Sequence, residues 1–120
     1  MEEQLEPLRR TCSSQELVRL GSTVRTHAAM LDEASLTTPH IDYRLAQRVS
    51  EVLCALIDRA DDLGNDGRSW VFAAATYFIT TEDGLSDLGV DGLRDDAAAI
   101  SWVCDRVGMS ELGAPLRQSD

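Results

Sequence analysis

Lysine does not occur in this sequence of 120 residues, and its eleven basic side chains, all arginine, face 21 carboxylates. The formal charge of −10 argues against a phosphate-binding surface, because contacts to a nucleic-acid backbone are made largely by Lys and Arg. Direct binding of nucleic acid is therefore not expected. Exclusive use of arginine fits codon bias in a GC-rich genome; selection against a lysine-directed modification is the alternative. Cysteine is scarce: Cys12, Cys54 and Cys104 are odd in number and widely spaced, with no CxxC pair and no Cys/His cluster. That excludes a disulfide framework and a zinc site and leaves reduced thiols. No apolar run reaches the roughly 18–20 residues of a membrane span. The longest, Trp70 to Ile79, has ten residues and includes Thr76 and Tyr77. The amino end, MEEQLEPLRR, is acidic and lacks the basic-then-apolar order of a secretory signal, so a cytoplasmic location is expected. Complete catalytic motifs are missing as well. Ser13, Ser14 and Ser101 have no glycine-rich elbow around them, and His27 and His40 stand thirteen residues apart with no ExxH or HxxxH partner.

The hydrophobic fraction of 43% is enough for one domain around one core. The patterning predicts an all-α, single-domain bundle of four main helices, at about 14–34, 39–63, 69–80 and 92–107. Ser13 and Glu16 have the spacing of a capping box, and Leu17, Leu20, Val24, Ala28 and Leu31 then recur on one helical face. Thr38 and Pro39 suit a cap and a first turn. Behind them Ile41, Leu45, Val49, Val52, Leu53, Leu56, Ile57, Ala60 and Leu63 make a wide stripe that Gly64 ends. Gly64 to Arg68 reads as a turn and Ser69 as the next cap. Trp70 to Ile79 is apolar on nearly every side, which places a third helix in the middle of the bundle; Ala73, Ala74 and Ala75 favour helix over strand. Leu93, Ala97, Ile100, Val103, Cys104 and Val107 restore a helical period that Gly108 stops, with Asp91 as a candidate cap. Residues 1–12 are expected as a loose arm, 13–108 as the helical domain, and 109–120 as a tail with at most one short turn.

Between the third and fourth helices the charge is concentrated. Six of the 21 acidic residues lie within positions 82–96, and only Arg94 balances them. An apolar helix ending Tyr77-Phe78-Ile79 is followed by Asp83, by Asp87 four places later, then by a glycine and the pair Asp95-Asp96 leading into another apolar helix. This arrangement resembles the YkvA-like family, a small bacterial helical domain without an assigned biochemical function, over about residues 69–107. The family has proline before the first of these aspartates and an Ile-Pro-Asp sequence at the second. Here Thr81-Glu82 and Leu85-Ser86 stand in those places, and the Asp87 to Asp95 segment is about one residue shorter. The resemblance implies a helical domain, found alone or attached to other modules and sometimes near membranes, and it brings no catalytic residues with it.

Three functions fit these residues. The first is a non-catalytic protein–protein interaction or adaptor module, without a cofactor, that meets a basic or amphipathic partner surface through Asp83, Asp87, Asp91, Asp95 and Asp96. Trp70 and Trp102 would be aromatic contacts beside that acidic rim. The second is a divalent-metal sensor or enzyme holding its cation with Asp83, Asp87, Asp95 and Asp96, since clustered carboxylate oxygens are what Mg²⁺ or Ca²⁺ requires. Neither DDLGNDG near Asp62 nor DLGVDG at Asp87 completes a calcium loop, because Ala73 and Ala98 occupy the positions of the closing acidic residue. The third is an acidic inhibitor that imitates nucleic acid in the groove of a basic protein. The long second helix also offers a face for homodimerisation.

Overall fold

The computed structural model describes residues 2–37, 43–81 and 92–117. All regular structure among them is helical. We label the helices α1 (Glu2–Leu5), α2 (Ser14–Ser35), α3 (Tyr43–Asp58), α4 (Gly64–Thr81), α5 (Gly92–Arg106) and α6 (Ser110–Arg117). Short 3₁₀ turns cover Glu6–Leu8 and Ala60–Asp62. The radius of gyration, 13.3 Å, is close to the value of about 13.6 Å for a 120-residue domain. None of the described helices is long and apolar enough to cross a membrane.

Helix α2 begins at the capping box that its sequence encodes. Ser13 Oγ accepts from the Glu16 amide at 3.2 Å and Glu16 Oε1 accepts from the Ser13 amide at 3.4 Å, which satisfies two of the amides left open at a helix start. Helix α3 runs antiparallel to it. Arg25 lies against Cys54, while Gly21, four residues earlier, lies against Ile57. Helix α4 follows the direction of α2, since Cys12 pairs with Arg68 at one end and His27 meets Phe78 further along. Helix α5 returns antiparallel to α4, bringing Trp102 onto Trp70. The all-round apolarity of α4 is met by contact with α1, α2, α3 and α5. Val71, Ala73, Ala74, Ala75 and Phe78 are fully buried.

Five expectations are corrected. The stripe read as one helix to Leu63 is α3 ending at Asp58 and a 3₁₀ turn, with Ala60 still buried. The segment Gly64 to Arg68, read as a turn, is instead the first turn of α4, because tertiary contacts outweigh the low helix propensity of its glycines. Arg68 reaches the Ala60 and Cys12 carbonyls at 3.3 and 3.2 Å and also binds Asn65 Oδ1. Ser69 is accordingly inside the helix, donating from Oγ to the Asp66 carbonyl at 2.6 Å.

The expected loose arm is folded, with Leu5 fully buried and Cys12 nearly so. Its apolar positions, Leu5 and Leu8, are too few to register as a period, and they are held by α4. The expected tail carries α6, whose Leu116 is buried. Gly108, at φ 80°, ends α5 and turns the chain into α6: the Met109 amide donates to the Cys104 carbonyl at 2.8 Å and the Gly108 amide to Asp105 at 3.3 Å. Thr38, Pro39 and the cap at Asp91 lie outside the described residues.

A side chain at Gly67 has no room, since a β-carbon there would sit 2.6 Å from Leu63 Cβ, an atom fixed to the backbone. Gly67→Ala is expected to lower stability by about 1–3 kcal/mol, the usual range for overpacking. Gly21→Ala would meet the movable end of Ile57 at 3.2 Å and is expected to cost less; urea unfolding of both variants checks the order.

Candidate functional site

The acidic segment is anchored at both ends by helices that belong to the core. Helix α4 leads into it at Thr81 and α5 leaves it at Gly92. Asp83, Asp87 and Asp91 lie outside the described residues. Asp95 falls in the first turn of α5, and its side chain is likewise outside them. Asp96 is fully buried. A carboxylate in such a place persists only where the fold compensates its lost hydration, which makes Asp96 part of the architecture. Among the described residues there is no group of three or more His, Cys, Asp or Glu side chains placed to hold a metal.

The tryptophans are brought together, but away from the acidic segment. Trp70 and Trp102 meet edge to face with centroids 5.1 Å apart and rings inclined at 68°, a favoured aromatic geometry. Trp70 stands near the start of α4 and Trp102 near the end of α5, so the antiparallel pairing puts them at the far end of both helices. Eleven residues separate Trp70 from Thr81, or about 16 Å of helix axis. Trp70 is only 1% exposed and Trp102 is half-buried. The acidic rim expected beside them, at Asp83, Asp87 and Asp91, lies outside the described residues. His27 packs its ring edge-on to Phe78 at 5.1 Å and is largely buried.

Around Trp70 the structure instead gathers arginines. The Arg9 guanidinium lies 4.1 Å from the centre of a Trp70 ring and that of Arg106 lies at 5.6 Å, while Arg10 stands 5.7 Å from Phe72. Such cation–π contacts contribute about 0.5–2 kcal/mol, more as water is excluded. Arg9 also donates from Nε to Ser69 Oγ at 2.9 Å and from Nη2 to the Asp66 carboxylate, and its Nη1 faces Glu6 at 3.3 Å. Beside it opens a polar cavity of about 330 Å³ lined by Arg9, Arg10, Thr11, Asn65, Asp66 and Ser69. A second cavity, of about 310 Å³ between α2 and α3, is lined by Ala28, Ala29, Asp32, Tyr43 and Gln47. Sequence reasoning missed the arginine cluster because it read residues 1–12 as unstructured. The one signal was the Arg9-Arg10 pair in an acidic stretch.

Cys12 closes this end of the molecule. Its thiol lies 3.8 Å from the Arg68 carbonyl. Burial pushes its pKa up, Glu16 adds to that, and the Arg68 charge opposes both. Comparison with family models, curated proteins and solved structures finds no match.

Two outcomes follow from these burials. Asp96→Ala is expected to reduce stability by about 1–3 kcal/mol, the range for losing a buried polar interaction. Asp95→Asn should remove only a helix-dipole contribution of about 0.3–1 kcal/mol, and urea titration compares the two. The raised Cys12 pKa favours the neutral thiol in the folded state, so its contribution to stability is complete below the unfolded pKa of about 8.5. It is lost as pH climbs from there through the folded value. A Cys12→Ala variant should show a shallower loss of stability above that pH. An unchanged slope would contradict the assignment.

Proposed function

We propose that this chain is a small, non-catalytic, cytoplasmic interaction module of the YkvA-like kind. In this reading α2 to α5 form a four-helix bundle that presents residues 82–96 to a protein with a basic or amphipathic surface. The observation that carries the reading is the separation of charge. Six carboxylates and one arginine fall in those fifteen positions, while Arg9 and Arg106 lie over Trp70, Arg10 lies over Phe72 and Arg68 binds the Cys12 carbonyl, near the start of α4. A single-signed patch at one end accelerates encounters with an oppositely charged partner and rejects partners of like charge.

Support also comes from the way the patch is mounted. The helices entering and leaving it are fixed to one another by the Trp70–Trp102 contact and by Ile100, Val103 and Cys104 in the core. The acidic segment therefore starts and finishes on a rigid frame, which limits the order that binding has to impose.

Affinity recovery from the native host tests this, with the wild-type chain and an Asp83→Asn/Asp87→Asn/Asp91→Asn variant as baits. Each neutralised charge is expected to weaken the complex by about 0.2–1 kcal/mol, and association should slow as salt rises. Equal recovery on both baits, or an association rate indifferent to salt, would contradict the reading.

A further inference from the structure

We propose that residues 2–12 are a displaceable strap, and that the face of α4 and α5 beneath it takes an amphipathic, arginine-bearing segment of a partner protein in place of the chain's own Leu5 and Arg9. This rests on the interaction-module reading and adds a second contact to it.

The site beneath Arg9 has the parts that recognise a guanidinium. The Trp70 ring supplies an aromatic face, Ser69 Oγ accepts from Nε and Asp66 accepts from Nη2. An arginine stacked on an aromatic ring with a carboxylate at its edge uses both its flat face and its donors. Leu5, four residues before Arg9, is fully buried, Leu8 packs against the core, and the turns that carry them both contact α4. A short segment carrying Leu and Arg at that spacing, its arginine on extended backbone as Arg9 is, is the ligand this surface is shaped for, and the overall charge of −10 favours a basic version of it.

The strap is fastened in a manner that allows release. Its helical pieces span four and three residues, too short to hold their shape unaided. Its ion pair to the body is made to Asp66, whose side chain is 76% open to water, so this bond weakens with salt. The cavity of about 330 Å³ alongside gives an incoming side chain access to Asp66 and Ser69 before Arg9 has left. With the strap in place the buried Trp70 indole N–H has no acceptor among the described residues, and opening gives it water. Release uncovers Trp70 and Phe72, on which Arg9 and Arg10 lie, with Arg106 beside Trp70. Trp and Arg are the side chains that most often dominate binding energy at interfaces.

The experiment uses the full chain as wild type, as Arg9→Ala and as Leu5→Ala/Arg9→Ala, with a labelled peptide of residues 2–11 as the probe. The tethered strap competes with the peptide at high effective concentration, so weakening it should improve peptide binding by about tenfold or more over wild type. A peptide carrying Arg9→Ala should lose that gain. In the wild type, amides of residues 2–12 should exchange well before those of α4. A double variant with native circular dichroism that binds the peptide no better than wild type would overturn the proposal. So would exchange of residues 2–12 only in step with α4. If the double variant fails to fold, Arg9→Ala and the wild-type exchange profile decide. Peptide binding that persists when the Asp83, Asp87 and Asp91 changes leave partner recovery untouched would sustain the strap and remove the acidic contact. The reverse pattern would sustain the acidic contact and remove the strap.

Discussion

Most of helix α4 is apolar, and that constraint shapes much of the molecule. With Val71, Ala73, Ala74, Ala75 and Phe78 all out of water, it has to be covered on most sides, leaving its first turn exposed and Phe72, Thr76 and Ile79 partly so. Helices α2, α3 and α5 supply most of that cover, and the amino-terminal residues close the start of α4. The alanines let the surrounding helices approach closely, while Trp70 and Phe78 fill the wider spaces near its two ends. Nearly every buried contact in the fold is made to α4 or between the elements that wrap it.

Covering one central helix also gives the molecule two chemically different ends. At its start the chain brings an aromatic pair, four arginines and the amino-terminal segment together. Its other end opens into the most acidic stretch of the sequence, held by helices that cannot splay without exposing the core. The buried Asp96 marks the inner boundary of that stretch, so the carboxylate pair at 95–96 divides between the interior and the first turn of α5. Both proposed contacts use the same physical arrangement, a rigid axis with a distinct chemistry at each tip.

The parts of this fold that could be read from the residues are those governed by local chemistry. The Ser13–Glu16 box, the stop at Gly108 and the bounds of α2 and α5 depend on side chains within one helical turn of each other. Features set by distant neighbours were not legible. Gly64 to Arg68 carries the composition of a turn, yet Arg68 ties that turn to Ala60, Asn65 and Cys12, and the first turn of α4 forms there. Residues 2–8 have two leucines and no sustained period, so nothing local announces that Leu5 is buried. The pairing of the tryptophans was not legible for a related reason: sequence says nothing about which ends of the two helices that carry them meet, and Trp70 and Trp102 meet at the start of α4. Asp96 looked like a surface charge because its neighbours in sequence are acidic, whereas its position on the α5 cylinder, beside Ala97 and Ile100, turns it inward.

The central claim is that α4, with Val71, Ala73, Ala74, Ala75 and Phe78 fully buried, is the axis on which the rest is assembled. Native-state hydrogen exchange followed residue by residue tests it most directly. The account predicts that the amides of Ala73 to Phe78 are the last to exchange and open only with global unfolding. Slower exchange in α2 or α3 than in the middle of α4 would contradict it.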